Sequence, residues 1–292
     1  MKKLVLALLL IASSLVQAQV KFIIPSGPGS GSDQTVNIYS ECFEKLNITT
    51  SKEFKPGGGG LVAINALRSS QDTNKTITVL VGSLGLHMLS NFPGVNAMED
   101  IKPLTYLNSI TMVLVARPGR IETISDLQEL AKTRPINAGS HTAVSDFLYE
   151  VLFKELNIPY QVVPYKANTN MLTDLVHGDL DIVSDTYPGA KSMIETGKVK
   201  IVVSTLDRTR AAKLGHESIN NHSKLLPRIP LGIILSTNND AASGMRTLVA
   251  DSVKKCNADD SVITKLKAID SPPLNIGYDE IRDIYKLVST RK

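Results

Sequence analysis

Ile24-Pro25-Ser26-Gly27-Pro28-Gly29-Ser30-Gly31-Ser32-Asp33 joins a short apolar run, Val20 to Ile24, to an amphipathic stretch, Ser32 to Leu46. The run reads as a strand stopped by proline, and the stretch as a helix. Glycines 27, 29 and 31 let backbone approach a ligand closely. Ser32 and Asp33 fall where the helix begins, so its unpaired N–H groups face the loop. A site of that kind favours an anion. No Gly-Lys-Ser/Thr follows, which excludes a P-loop. The alternating glycines also miss the G-x-G-x-x-G dinucleotide pattern.

Outward from this loop the same unit recurs: apolar run, turn rich in Gly, Ser or Pro, helical stretch. Strands are expected at Ile48 to Phe54, Thr76 to Val81, Leu104 to Ala116 (one or two), Ile136 to Ala138 and Tyr160 to Val163. Further strands are expected at Leu180 to Val183, Val199 to Ser204 and Leu231 to Leu235. Helices alternate with them: Leu61 to Arg68, a start capped near Ser125, Ser145 to Leu156, Thr169 to Val176 closed by Gly178, and Pro188 to Thr196. Ala241 to Asn257 and Tyr278 to Val288 read as C-terminal helices. Alternation of this kind implies α/β architecture with mostly parallel sheets flanked by helices.

Three more strand ends carry loops like the first: Gly82-Ser83 through His87, Gly139-Ser140-His141-Thr142, and Ser184-Asp185-Thr186-Tyr187-Pro188. In open α/β sheets, ligands bind beyond the carboxyl ends of strands. Asp185 is the carboxylate placed in this cleft, whereas Asp179 and Asp181 read as solvated strand-edge residues.

The bulk properties narrow the class. Lys2 and Lys3 precede an apolar stretch, Leu4 to Val16, and Val16-Gln17-Ala18 suits a signal peptidase, so residues 1–18 read as a secretory leader cleaved after Ala18. The stretch is short of the roughly 20 residues that span a bilayer. The 292 residues suggest two domains, 42% hydrophobic and 21% charged. The formal charge of +4 falls by two without Lys2 and Lys3, and no basic run or Trp argues for nucleic acid. No nucleophile elbow or H-E-x-x-H is present, and no metal or cofactor is expected. Cys42 and Cys256 match no metal spacing; they read as one disulfide or as two separate thiols.

Several stretches resemble the periplasmic substrate-binding proteins of tripartite tricarboxylate transporters, the Bug-type receptors. They are Ile23-Ile24-Pro25 with Pro28 to Asp33, Lys55-Pro56-Gly57-Gly58-Gly59-Gly60, Gly82-Ser83 to His87, and Asn137-Ala138-Gly139-Ser140. Val163-Pro164-Tyr165-Lys166, Leu172 to Asp181 and Gly197-Lys198-Val199-Lys200 complete the set. The resemblance implies a two-lobe, type II periplasmic binding fold with a hinge. Lobe 1 is expected to be discontinuous, residues 19–117 plus 228–292, and lobe 2 to be 118–227. The implied ligand is a small carboxylate, delivered to integral-membrane subunits by a monomeric, non-enzymatic periplasmic receptor. The implied ligand-binding set is Ser26, Pro28, Gly29, Ser30, Gly31, Ser32, Asp33, Ser83, His87, Ser140, His141, Thr142 and Asp185. The same fold would put the first helix and a C-terminal helix in one lobe, where Cys42 and Cys256 could bond. Ala167-Asn168-Thr169-Asn170 is more polar than the family's usual Gly-Ser-Ala-Pro type, and Ser26-Gly27-Pro28 and Leu231 to Leu235 lack its usual aromatics, which disfavours a benzoate-like ligand. Rival readings are a carboxylate sensor or a secreted hydrolase with Ser140 or Ser32 as nucleophile.

Overall fold

The computed structural model describes residues 17–82 and 100–289. Its first sheet has the order β2-β1-β3-β11-β4, from β1 (Ala18–Ile24), β2 (Ile48–Phe54), β3 (Thr76–Gly82), β4 (Lys102–Ser109) and β11 (Gly232–Thr237). β1 is central and pairs in parallel with both neighbours, Ala18 opposite Ile48 and Gln19 opposite Thr76. Covered on both faces, it buries Phe22, Ile23 and Ile24 in succession, and so reads as a continuous apolar run.

The second sheet has the order β10-β9-β5-β8-β6-β7. Its strands are β5 (Met112–Ala116), β6 (Ile136–Ser140), β7 (Tyr160–Pro164), β8 (Ile182–Thr186), β9 (Lys200–Ser204) and β10 (Glu217–Ser218). Each sheet has one reversed strand. β11 runs antiparallel to β3 and β4, and β5 antiparallel to β8 and β9. Both are the strands by which the chain arrives from the other sheet. Entering from the junction they run away from it, while their neighbours run toward it and end there.

The chain leaves the first sheet between Ser109 and Met112 and returns between Ser218 and Gly232. The boundary expected at Arg117-Pro118-Gly119 therefore falls one strand too late. That turn ends β5, whereas the crossing itself uses Ile110-Thr111, which carry no turn residue.

The described helices are α1 (Gly31–Lys45), α2 (Leu61–Arg68), α3 (Ile124–Ala131), α4 (Ala143–Glu155), α5 (Asn168–His177), α6 (Tyr187–Glu195), α7 (Arg208–Lys213), α8 (Ser243–Cys256), α9 (Asp260–Ala268) and α10 (Tyr278–Ser289). On α1, Thr35, Val36, Tyr39, Cys42 and Phe43 face the core at helical spacing. Cys42 is disulfide-bonded to Cys256 at the end of α8, with 6.0 Å between the Cα atoms. α3 is capped by Thr123 rather than Ser125, because Thr123 and Asp126 form a reciprocal capping box. α5 closes on Gly178 at φ 98°, the left-handed position that glycine takes without strain.

One apolar cluster runs through both sheets, and a second packs α5 and α6 against β5 and β8. Among the described residues, no helix is long and apolar enough to cross a membrane.

Candidate functional site

The loop after β1 is held by its own side chains. Ser30 caps α1, its Oγ accepting from Asp33 N at 3.3 Å, and Ser26 Oγ lies 2.7 Å from Ser30 Oγ. Asp33 folds the loop back: its carboxylate accepts from Gly29 N at 2.9 Å and from Lys52 Nζ at 2.6 Å. It is thus committed to loop structure, and the exposed Pro28 and Gly29 form the outer bend. None of these three lines the cavity described below.

Ser140 ends β6, and the loop after it puts His141 and Thr142 at the start of α4. Thr142 is the cap and accepts from Ser145 N, while Ser145 Oγ donates to Ser184 O at 2.9 Å and so ties α4 to β8. At the end of β8, Thr186 caps α6 and accepts from Gly189 N at 3.2 Å, with Pro188 in the first turn. Asp185, 2% exposed, accepts from Thr186 N at 2.7 Å and from Asn168 Nδ2 at 3.2 Å. Burial pushes its pKa up, against the opposing pull of His141 and these donors.

These loops meet around a narrow cavity. Ser26, Ser30, Gly31 and Ser32 form the wall on the first-sheet side; His141, Thr142, Asp185 and Thr186 form the wall on the second. Ile110, Met112, Val144 and Ile233, at and beside the crossing strands, supply apolar surface. The N-termini of α1, α4 and α6 therefore converge on one space. No Lys or Arg is among its described lining residues. The walls come close together: a Cβ built on Gly31 would lie 2.8 Å from Thr186 Oγ1.

Ser140 lines a different, adjoining and wider space, together with Gly57 to Gly59, Asp146, Tyr165 and Lys166. His141 and Thr142 border both spaces. Ser83 and His87 lie outside the described residues.

Thr186, Val144 on α4 and the residues of the crossing are the lining groups that sequence reasoning missed. Thr-Tyr-Pro is itself a cap signal, since proline favours the first helical turn. The crossing residues carry no local signal, because only the topology brings them to the cleft.

Among the described residues, no serine hydrogen-bonded to a histidine lines this cavity. Ser140 Oγ donates to Thr142 O, and the hydrogen bond described between a serine and a histidine, Ser204 with His216 at 2.9 Å, lies by β9 and β10. Asp174, His177 and Asp179 gather at the end of α5, away from the cavity, and Asp174 accepts from Tyr165 Oη at 2.6 Å.

Comparison with known proteins fits this architecture. The model of the tripartite tricarboxylate transporter family receptor (TctC) matches residues 38–225. A UPF0065 protein of Bordetella pertussis is 28% identical over 211 residues, covering 67% of this chain and 64% of that protein. One of Agrobacterium vitis is 25% identical over 193 residues, covering 64% and 56%. The match thus spans less than two thirds of either relative. Among solved structures, MatC of Rhodopseudomonas palustris with bound malate superposes with a TM-score of 0.80 at 19% identity, covering 94% of this chain and 97% of that one. The periplasmic binding protein BugD superposes at 0.79 with 17% identity, covering 94% and 95%. At these identities the structures speak for the fold. With its family model matched over more than half its length, the chain belongs to the tripartite tricarboxylate transporter receptor family.

Proposed function

We propose that this protein is an extracytoplasmic receptor that captures a small carboxylate between its two sheets and delivers it to the membrane subunits of a tripartite transporter. The observation that carries this reading is the convergence of the α1, α4 and α6 N-termini, with Ser26, Ser30 and Ser32, on one cavity. Helix N-termini present unpaired N–H groups and a partial positive charge, so they hold an anion without a buried lysine or arginine. A structural neighbour of R. palustris carries adipate, and MatC carries malate. The two lobes act as jaws, one built from both ends of the chain and the other from the segment between the crossings. A ligand touching both stabilises the closed state through its differential affinity. The leader directs the chain out of the cytoplasm and is removed after Ala18, so that β1 of the mature protein begins at Gln19 opposite Thr49, and the receptor works as a monomer.

Thermal denaturation with millimolar mono-, di- and tricarboxylates tests the reading. A cognate acid at about 100 times its Kd adds ~2.7 kcal/mol of stability, a shift of roughly 5 °C or more for a chain of this size. If every small carboxylic acid leaves the melting temperature unchanged, the assignment fails.

A further inference from the structure

The two covalent crossings are not all that joins the two sheets. After α9 the chain runs along β4, at the edge of the first sheet. Asn108 bridges Pro273 and Thr105 bridges Gly277, both antiparallel, and Ser109 N donates to Pro272 O at 2.9 Å. At its start this segment reaches the crossing itself. Thr111 Oγ1 donates to Asp270 Oδ2 at 2.9 Å and to Asp270 O at 3.1 Å, while Arg210 on α7 donates to Asp270 Oδ1. Asp270 stands on the first-sheet side, Arg210 on the second, and Thr111 in the link between them. The three residues thus strap the hinge. None of them lines the ligand cavity; Thr111 and Arg210 line a separate groove.

The backbone at Asp270 argues that its side chain matters. α9 ends in a left-handed turn, with Ser271 N donating to Leu266 O and Asp270 N to Lys267 O, the pair of bonds that closes many helices on glycine. Asp270 occupies the glycine position, at φ 50°. An aspartate there carries a backbone cost that glycine escapes. The turn alone does not explain it, whereas the carboxylate reaching two groups outside α9 does.

Thr111 connects the strap to the cavity. Its carbonyl accepts from Tyr187 N at 2.7 Å, one residue past Thr186, which caps α6 in the second wall and faces Gly31. Met112 N donates to Thr205 Oγ1 at 2.9 Å and Met112 O accepts from Thr205 N at 3.0 Å, and Thr205 leads into α7. The start of α6 and α7 therefore turn with the crossing as one body, while Asp270 stays with the first sheet. Opening the jaws must shift Arg210 and Thr111 relative to Asp270, whose short side chain cannot follow both.

We infer that Asp270 is a positioning residue for ligand capture: bonded to Thr111 and Arg210 while the cavity walls meet, it favours the closed arrangement over the open one without touching the ligand. A contact made in one arrangement and lost in the other shifts the balance by its own free energy. This rests on the receptor reading and deepens it.

Three measurements on the purified protein test it. They are calorimetry with succinate, malate, adipate and citrate, thermal melting without ligand, and distances between spin labels on Val62→Cys and Thr169→Cys, exposed positions on opposite sides of the hinge. Asp270→Gly should melt at the wild-type temperature or slightly above it, because glycine relieves the turn. It should nonetheless bind the tightest acid of the panel about fivefold or more weakly, and Arg210→Gln about threefold more weakly. The label distances should move toward longer values in Asp270→Gly, with or without acid. Unchanged affinity with unchanged distances overturns the inference. So does an affinity loss with unchanged distances and a melting temperature lowered by roughly 5 °C or more, since Asp270 would then merely hold the fold. Should Asp270→Gly not fold, Arg210→Gln decides by the same measures. If no acid of the panel binds, the receptor reading falls, and the ligand-free distances alone decide on the strap.

Discussion

Asp181 and Asp185 lie four positions apart and show what a sequence reveals at the scale of one residue. Asp181, read as a solvated edge residue, is buried. Arg134 grips it through two hydrogen bonds of 2.6 and 2.7 Å, Asn137 N donates at 2.9 Å, and Arg120 stands at 3.3 Å. Burial alone would raise its pKa, but Arg134, Asn137 N–H and Arg120 outweigh that and hold it below the usual carboxylate range. Asp185, without a lysine or arginine partner in the cavity, is pushed the other way by burial. Nothing local separates the two, since Arg134 lies 47 positions from Asp181 in sequence. Asp33 teaches the same lesson: its place at a helix start was legible, but its capture by Lys52 on β2 was not. For Asp181 the folded pKa lies below the unfolded value. Its stabilisation is therefore complete above the unfolded pKa near 3.9 and is lost as pH falls through the lower folded value. Asp181→Asn should cost about 2–3 kcal/mol in urea unfolding at pH 7, and the difference from wild type should shrink below about pH 4. A penalty that stays constant down to about pH 3 would show that the carboxylate charge is not its source.

At the scale of elements, strands and helices with clear apolar periodicity were legible almost to the residue, as for β3 and α2. Those missed were short or polar. Arg208–Lys213 shows little apolar pattern, Glu217–Ser218 is two residues long, and Asp260–Ala268 carries β-branched Val262, Ile263 and Thr264. The reversal of β5 and β11 could not be read locally either, because strand direction follows from which sheet the chain has just left. The disulfide belongs to this scale as well. It ties α1, whose first turn forms the serine wall, to α8, and it closes a loop with a sequence separation of 214. Tyr39, one turn before Cys42, reinforces the join, its hydroxyl reaching Leu107 O and Asn257 Oδ1. Replacing both cysteines by serine should lower unfolding free energy by about 2–5 kcal/mol, read from the urea midpoint. Affinity for a cognate acid should stay within about threefold, because the bond lies at the far end of α1 from the cavity. An unchanged midpoint would mean that helix packing alone holds α1 and α8 together.

For the whole molecule the decisive fact is that two crossings join the two sheets while the cavity walls touch. Gly31 is in ordinary helical conformation at the start of α1, so backbone freedom does not explain a glycine there. Space does. A Cβ at this position would lie 2.8 Å from Thr186 Oγ1, 3.3 Å from its Cβ and 3.4 Å from its Cγ2. Thr186 cannot readily turn aside, because its Oγ1 caps α6 through Gly189 N. Any side chain at Gly31 must therefore push the lobes apart at the point where they meet. Alanine in place of glycine at a helix start does not harm the helix and modestly favours it. If the ligand-free lobes stand apart, as the jaw reading requires, Gly31→Ala should leave the ligand-free protein as stable as wild type or slightly more so. Its affinity for a cognate acid should nonetheless fall by about tenfold or more, because the ligand is worth most when both walls reach it. Small-angle scattering should show wild type contracting when saturated, and Gly31→Ala contracting less. Gly27→Ala is the matched control: it lies in the same loop with nothing within 4 Å of an added Cβ, and it should bind like wild type. If Gly31→Ala binds and contracts as wild type does, the contact with Thr186 does not limit closure, and the jaws must meet elsewhere.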